Sequence, residues 1–195
     1  MEKGGLTAEL RDHDCDDAQG LFWGDEMRVG LLGQVRRVWV PRGFKIEQDV
    51  EVKYEWEYLN LIVNGLTGEL RWEWTPDMKG ESIAPVLKGW EAEEVKVIVW
   101  DRAPGHRGAA YEGVKVKRIE QPPYSPKLNP AERVFELLRD KVEGVVYGSI
   151  ANKKETVEAE LEQLAANPEQ VKQLTGWAWI RDSVKQLSNP LTLLQ

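Results

Sequence analysis

The sequence predicts a mixed α/β sandwich built on one sheet. Three observations predict it: strand-like alternation with turn residues over positions 21–75, a short run at 95–100 that is apolar except for Lys96, and amphipathic helical stripes after residue 130. A length of 195 residues suits one domain of ordinary size.

Residues 1–20 are polar and acidic and read as an acidic tail or truncated linker, leaving 21–195 as the folded domain. Asp12, Asp14 and Asp16 mimic the start of a calcium loop, but its glycine and closing glutamate would fall on Asp17 and Trp23. From Leu21, LFWGDEMRVGLL and QVRRVWVPRG are rich in β-branched and aromatic residues, broken by Gly24, Gly33 and Pro41. EYLNLIV then meets Asn64-Gly65, a hairpin signal, and ELRWEW alternates Leu70, Trp72 and Trp74 with charged residues. Residues 21–75 are therefore expected to form an antiparallel three-stranded meander.

Residues 82–90 suit a short helix crossing the sheet. VKVIVW at 95–100 suits a strand buried on both faces, and VKVKRI at 114–119 a fifth strand. A helix is expected from about Pro130 to Val142, striped by Phe135, Leu138 and Val142. Val157, Leu161 and Leu164 mark another, and Asn167-Pro168 opens a third.

Composition bounds the chemistry. No apolar run is long enough for a membrane span and no basic-then-apolar leader is present, so a soluble, cytoplasmic protein is expected. One cysteine, Cys15, allows no internal disulfide, and with only His13 and His106 a conventional zinc site is excluded. A metal site would have to use carboxylates, which favours magnesium or manganese. The net charge of -7 argues against a generic nucleic-acid binder, yet the charge is uneven. Residues 27–46 hold Arg28, Arg36, Arg37, Arg42 and Lys45 with no acid. Residues 102–118 hold Arg102, Arg107, Lys115, Lys117 and Arg118 against Glu112 alone. Both stretches adjoin acids of interest, although scattered solvated surface explains them equally well.

Those acids are Asp25 inside the first strand, Asp101 at the end of the buried strand, and Glu132 in the first turn of a helix. A charge in a core strand is costly unless something pairs it. Three carboxylates brought together would bind one or two divalent cations and support in-line displacement at a phosphodiester. Plainer readings exist: Asp101 opening a turn, Asp25 and Glu26 facing solvent, Glu132 as the capping-box residue behind Asn129 and Pro130. Glu136, one turn after Glu132, is a rival third ligand.

Three segments resemble a known family, the bacterial insertion-sequence branch of the mariner-like transposases. DEMRVGLLGQVRRVWVPRG at 25–43 resembles the stretch opening on that family's first catalytic Asp. VIVWDRAPGH at 97–106 resembles the strand and turn around the second. PPYSPKLNPAERVFELLR at 122–139 resembles the Y-S-P-x-L-N-P-x-E signature, whose glutamate is the third ligand. TGWAWI at 175–180 resembles the end of such domains, so the likeness covers roughly 20–182.

The resemblance implies an RNase H-like fold with a mixed five-stranded sheet, its first three strands antiparallel. It implies Asp25, Asp101 and Glu132 as catalytic residues and as ligands of Mg2+ or Mn2+. It also implies DNA transposition at the ends of an insertion sequence, joining to TA target sites, and a homodimer. Arg28, Arg36, Arg37, Arg102, Arg107, Lys115 and Lys117 are then candidates for phosphate contacts that position rather than read DNA.

The chain also departs from the family. Arg102 stands where Asn usually follows the second Asp, a position from which it would pair with Asp101. Thirty residues separate Asp101 from Glu132, fewer than expected. The family's N-terminal helix-turn-helix domains have no room before Leu21, which suggests a fragment or half of a split reading frame. The rivals are a decayed transposase kept as a DNA-binding or structural module, and a host nuclease such as a ribonuclease H or junction resolvase.

Overall fold

A computed structural model describes residues 5–12, 18–33, 39–106 and 108–186. The sheet has five strands in the order β3-β2-β1-β4-β5: β1 Leu21–Gly30, β2 Trp56–Asn64, β3 Glu69–Thr75, β4 Val97–Trp100 and β5 Lys117–Glu120. The first three strands are antiparallel, and β4 and β5 run parallel to β1. Six helices pack around it: α1 Gly5–Asp12, α2 Gly80–Ala92, α3 Ala131–Val142, α4 Ile150–Ala165, α5 Pro168–Thr175 and α6 Ala178–Lys185.

Alternation in β1 builds the two layers. Trp23, Met27 and Val29 enter a core with Leu59, Leu61 and Val63 of β2, closed by Val134, Phe135 and Leu138 of α3 and by stripes from α4 and α5. Phe22 points the other way, into a smaller core with Ile62, Ile98 and Ile83, Leu87 and Trp90 of α2. Both layers cover β4, whose four residues are all buried, as its continuous apolar run requires.

Three expectations change. Residues 5–12 are not a polar tail but a helix, because Leu6 and Leu10, four apart, bury one stripe. Its partner is α6: Thr7 Oγ1 donates to the Ser183 carbonyl at 3.2 Å and Arg11 Nη2 to that of Gln186 at 3.0 Å. The first strand ends at Gly30, and residues 39–55 form no strand despite their β-branched and aromatic content. Trp39, Phe44, Val52 and Tyr54 face solvent there, so no buried face fixes a strand. Positions 34–38 of the expected strand lie outside the described residues, as do His13 and Cys15.

The 64–69 hairpin forms with a longer turn than the Asn-Gly pair implies. Asn64 Oδ1 accepts from Leu66 N at 2.9 Å and Thr67 N at 3.1 Å, and Gly68, at φ 82°, takes the left-handed position.

A candidate active site of three carboxylates

Asp25 lies on the face of β1 shared with Trp23 and Met27, beneath α3. The parallel register pairs Trp23 with Val99, and two further residues along it Asp25 comes opposite Asp101. Glu132 is in the first turn of α3. All three line one cleft of about 410 Å³ with Arg102, Gln121, Tyr124 and Asn129.

The start of α3 settles what Glu132 does locally. Asn129 Oδ1 accepts from Ala131 N at 3.1 Å, the cap expected from sequence. The capping box stays open, however, because the Asn129 N–H donates to the Pro126 carbonyl at 2.9 Å instead of to Glu132. The Glu132 carboxylate lines the cleft, with Arg139 Nη2 at 3.6 Å from Oε2. Glu136 pairs with Arg133 at 2.7 Å and is not among the residues lining the cleft.

Each aspartate is held by its surroundings. Asp25 Oδ1 accepts from Glu26 N at 2.9 Å, and Oδ2 accepts from Asn129 Nδ2 at 3.0 Å. Burial, with the charges of Glu26, Glu132 and Asp101, pushes the Asp25 carboxyl up to about 7, while the Glu26 N–H pulls it down. Asp101 Oδ1 accepts from Ala103 N at 2.9 Å and lies 3.1 Å from His106 Nδ1. The His106 hydrogen bond holds the Asp101 carboxyl below its usual range, against burial and aided by the Ala103 N–H.

His106 and Glu26 do not line this cleft but stand behind Asp101, which His106 contacts, and sequence reasoning assigned neither a role there. Glu26 points from β1 toward the α2 side, where His106 Nε2 stands 2.9 Å from its Oε1. The imidazole stacks on Trp100 at 3.9 Å and 7°. Burial disfavours its charge, but the hydrogen bonds to Asp101 and Glu26, with the Glu26 charge, push its pKa up to about 10. Each ring nitrogen faces a carboxylate oxygen, Glu26 Oε1 at 2.9 Å and Asp101 Oδ1 at 3.1 Å, an arrangement that suits the doubly protonated ring. The signal was alternation itself: in a strand buried on both faces, the residue after Asp25 must also find a partner.

The basic candidates separate. Arg102 lines the cleft and pairs with Glu120 (Nε to Oε2, 3.2 Å), not with Asp101. Arg28 sits over Trp56, 5.4 Å from the ring centroid, beside a different cavity. Lys117 opens β5, three positions before the residue paired with Trp100, Lys115 Nζ lies 3.9 Å from Glu91 Oε1, and neither lysine lines the cleft. Arg36, Arg37 and Arg107 lie outside the described residues.

Three carboxylates are hard oxygen donors of the kind magnesium and manganese take. In kind, the residues fit a divalent cation. Among the described residues, no three or more His, Cys, Asp or Glu side chains stand close enough together to hold a metal ion as they are placed. Nor is any described helix long and apolar enough to cross a membrane.

Fold and cleft together define an RNase H-like fold with acidic residues lining a cleft beside its central parallel strands. Among solved structures, the chain is similar to a Mos1 strand transfer complex at 15% identity and TM-score 0.67, covering 97% of this chain and 62% of that one. It is similar to Mos1 mariner paired-end complexes with Mn (13% identity, 94% and 62% covered, TM-score 0.61) and with Mg (15%, 95% and 59%, 0.61). The chain thus spans about three-fifths of the length of the solved chains it matches. No family model matches it. No curated protein matches it either.

Proposed function

We propose that this chain carries the catalytic domain of a DDE transposase of the mariner-like superfamily, bacterial insertion-sequence branch. It would cut DNA at transposon ends and join the freed 3′-hydroxyl to target DNA. The observation that carries the reading is the cleft that Asp25, Asp101 and Glu132 line together, on a fold similar to that of the Mos1 complexes.

In this reading the domain includes α1 as well as 21–186, and those three carboxylates hold the metal. One or two Mg2+ or Mn2+ ions, when bound, would activate the attacking oxygen and offset charge on the phosphodiester. The solved Mos1 complexes with Mn and with Mg support that choice. Arg102, the basic candidate lining the cleft, is the phosphate contact with the best support. Arg28, Lys115 and Lys117 would engage DNA only farther along its path, and Arg36, Arg37 and Arg107 stay proposed contacts on the sequence alone. The exposed Trp39, Phe44 and Tyr54 between β1 and β2 favour self-association as a homodimer.

The test is nicking of end-labelled DNA with Mg2+ or Mn2+. Cleavage is expected, lost in Asp101→Ala and Glu132→Gln and retained in Glu136→Gln. A folded chain without metal-dependent cleavage would overturn the enzymatic reading in favour of a decayed transposase. Preference for an RNA–DNA hybrid or a four-way junction would assign a host nuclease instead.

A further inference from the structure

Asn129 makes a set of contacts that a helix cap alone does not need. Its side chain is 2% exposed and every polar atom is used. Oδ1 accepts from Ala131 N at 3.1 Å and caps α3. Nδ2 donates both to the Gly24 carbonyl at 2.9 Å and to Asp25 Oδ2 at 3.0 Å. The main-chain carbonyl accepts from Glu132 N at 3.2 Å. The amide can point only one way, since turning it over would set its oxygen against a carbonyl and a carboxylate.

We propose that Asn129 is a positioning residue that clasps the Asp25 carboxylate to the first turn of α3, and so sets the spacing between Asp25 and Glu132. The proposal rests on the metal-dependent reading of the cleft.

A neutral amide is the side chain this place needs. Lysine or arginine would neutralise Asp25 and compete with a cation. Aspartate would cap α3 but repel Asp25 and donate nothing, and leucine would leave the Gly24 carbonyl and Asp25 without a donor. With one donor on each oxygen, from Glu26 N and from Asn129, Asp25 is oriented yet keeps lone pairs for a cation. Partners of this kind hold a ligand's geometry without touching the metal.

The decisive comparison is Mn2+ affinity, by titration calorimetry or the free-ion spin-resonance signal, in wild type and Asn129→Ser. Serine keeps a capping oxygen but is too short to reach Asp25. A weakening of about tenfold or more is expected, the size seen when such outer partners are lost, with helix content retained. Leu138→Ala, which opens a cavity under α3 without touching the clasp, is the control for simple destabilisation and should bind Mn2+ as wild type does. A second measurement needs no variant: in wild type labelled on asparagine nitrogen, the Asn129 side-chain amide signals should move on adding Mg2+. If wild type binds no Mn2+, the metal reading falls and the clasp with it. If wild type binds, Asn129→Ser binds equally tightly and the amide signals stay still, the Asn129 proposal alone is overturned.

Discussion

His106 Nε2 lies 2.9 Å from Glu26 Oε1, and the two side chains, 3% and 4% exposed, are enclosed together beneath the candidate site. Through its other nitrogen the same ring meets Asp101, so one imidazole joins the second face of β1 to the end of β4.

Removing that ring should be expensive. His106→Leu fills the space but leaves the Glu26 carboxylate buried without its partner, a change worth about 3–5 kcal/mol in comparable pairs. The pH dependence follows from the raised pKa. The unfolded chain releases this proton near 6.5 and the folded one near 10, so the folded state binds more protons between those values. The contribution is complete below pH 6.5 and lost as pH rises through about 10. Urea midpoints measured in EDTA from pH 6.5 to 10.5 should fall in wild type more than in His106→Leu. Parallel curves would refute the pairing.

Asp25 acts in a lower window. Its carboxyl titrates near 7 in the folded protein and near 3.8 in the unfolded chain. The folded state again binds the extra proton, so Asp25's own contribution to metal-free stability is complete below pH 3.8 and is lost as pH rises through about 7. At about 1.4 kcal/mol per unit, the loss is at most on the order of 4 kcal/mol. Asp25→Asn should flatten this part of the profile. A cation competes with that proton, so Mn2+ affinity should rise from pH 5 to 7.5. An Asp25→Asn profile that overlays wild type in EDTA would contradict the shift.

Much of this arrangement was legible because it is local. The apolar run before Asp101 and the Asn129-Pro130 cap each announce an element from adjacent residues, and the strand order β2-β1-β4 then brings Asp25 and Asp101 together. What could not be read depends on distant partners. Leu6 and Leu10 become a helix face only against α6, at the far end of the chain. His106, set aside once zinc was excluded, finds Glu26 eighty residues away. Residues 39–55 have strand-like composition, yet strand propensity expresses a fit to a half-buried surface that this segment lacks.

Glu158 of α4 ties the helical layer to β3, accepting from the Trp72 indole at 2.7 Å and also from the Trp74 indole. Glu158→Ala strands both donors. At about 1–3 kcal/mol for a fully buried unsatisfied group, the half-buried indoles should together cost roughly 1–2 kcal/mol. Glu158→Gln keeps an acceptor and should recover part of it. Indole N–H resonances report directly: the Trp72 and Trp74 signals should move upfield in Glu158→Ala. Signals left in place would mean that water had been the real acceptor.

Gly68 and Gly43 give a matched test of how tightly the β2–β3 turn packs. Both have positive φ, 82° and 96°, so alanine at either meets the left-handed penalty of about 1–2 kcal/mol. They differ in surroundings. A Cβ on Gly43 meets nothing within 4 Å, whereas one on Gly68 would stand 2.1 Å from the Pro168 carbonyl oxygen, at the first residue of α5. Backbone cannot swing aside as a side chain does, so α5 and its Asn167 cap must shift. Gly43→Ala should therefore cost about 1–2 kcal/mol, and Gly68→Ala roughly 3 kcal/mol or more, as strained and overpacked sites do. Urea denaturation of the two variants at one pH measures the difference directly. Equal losses would show that the turn does not press against α5 in solution.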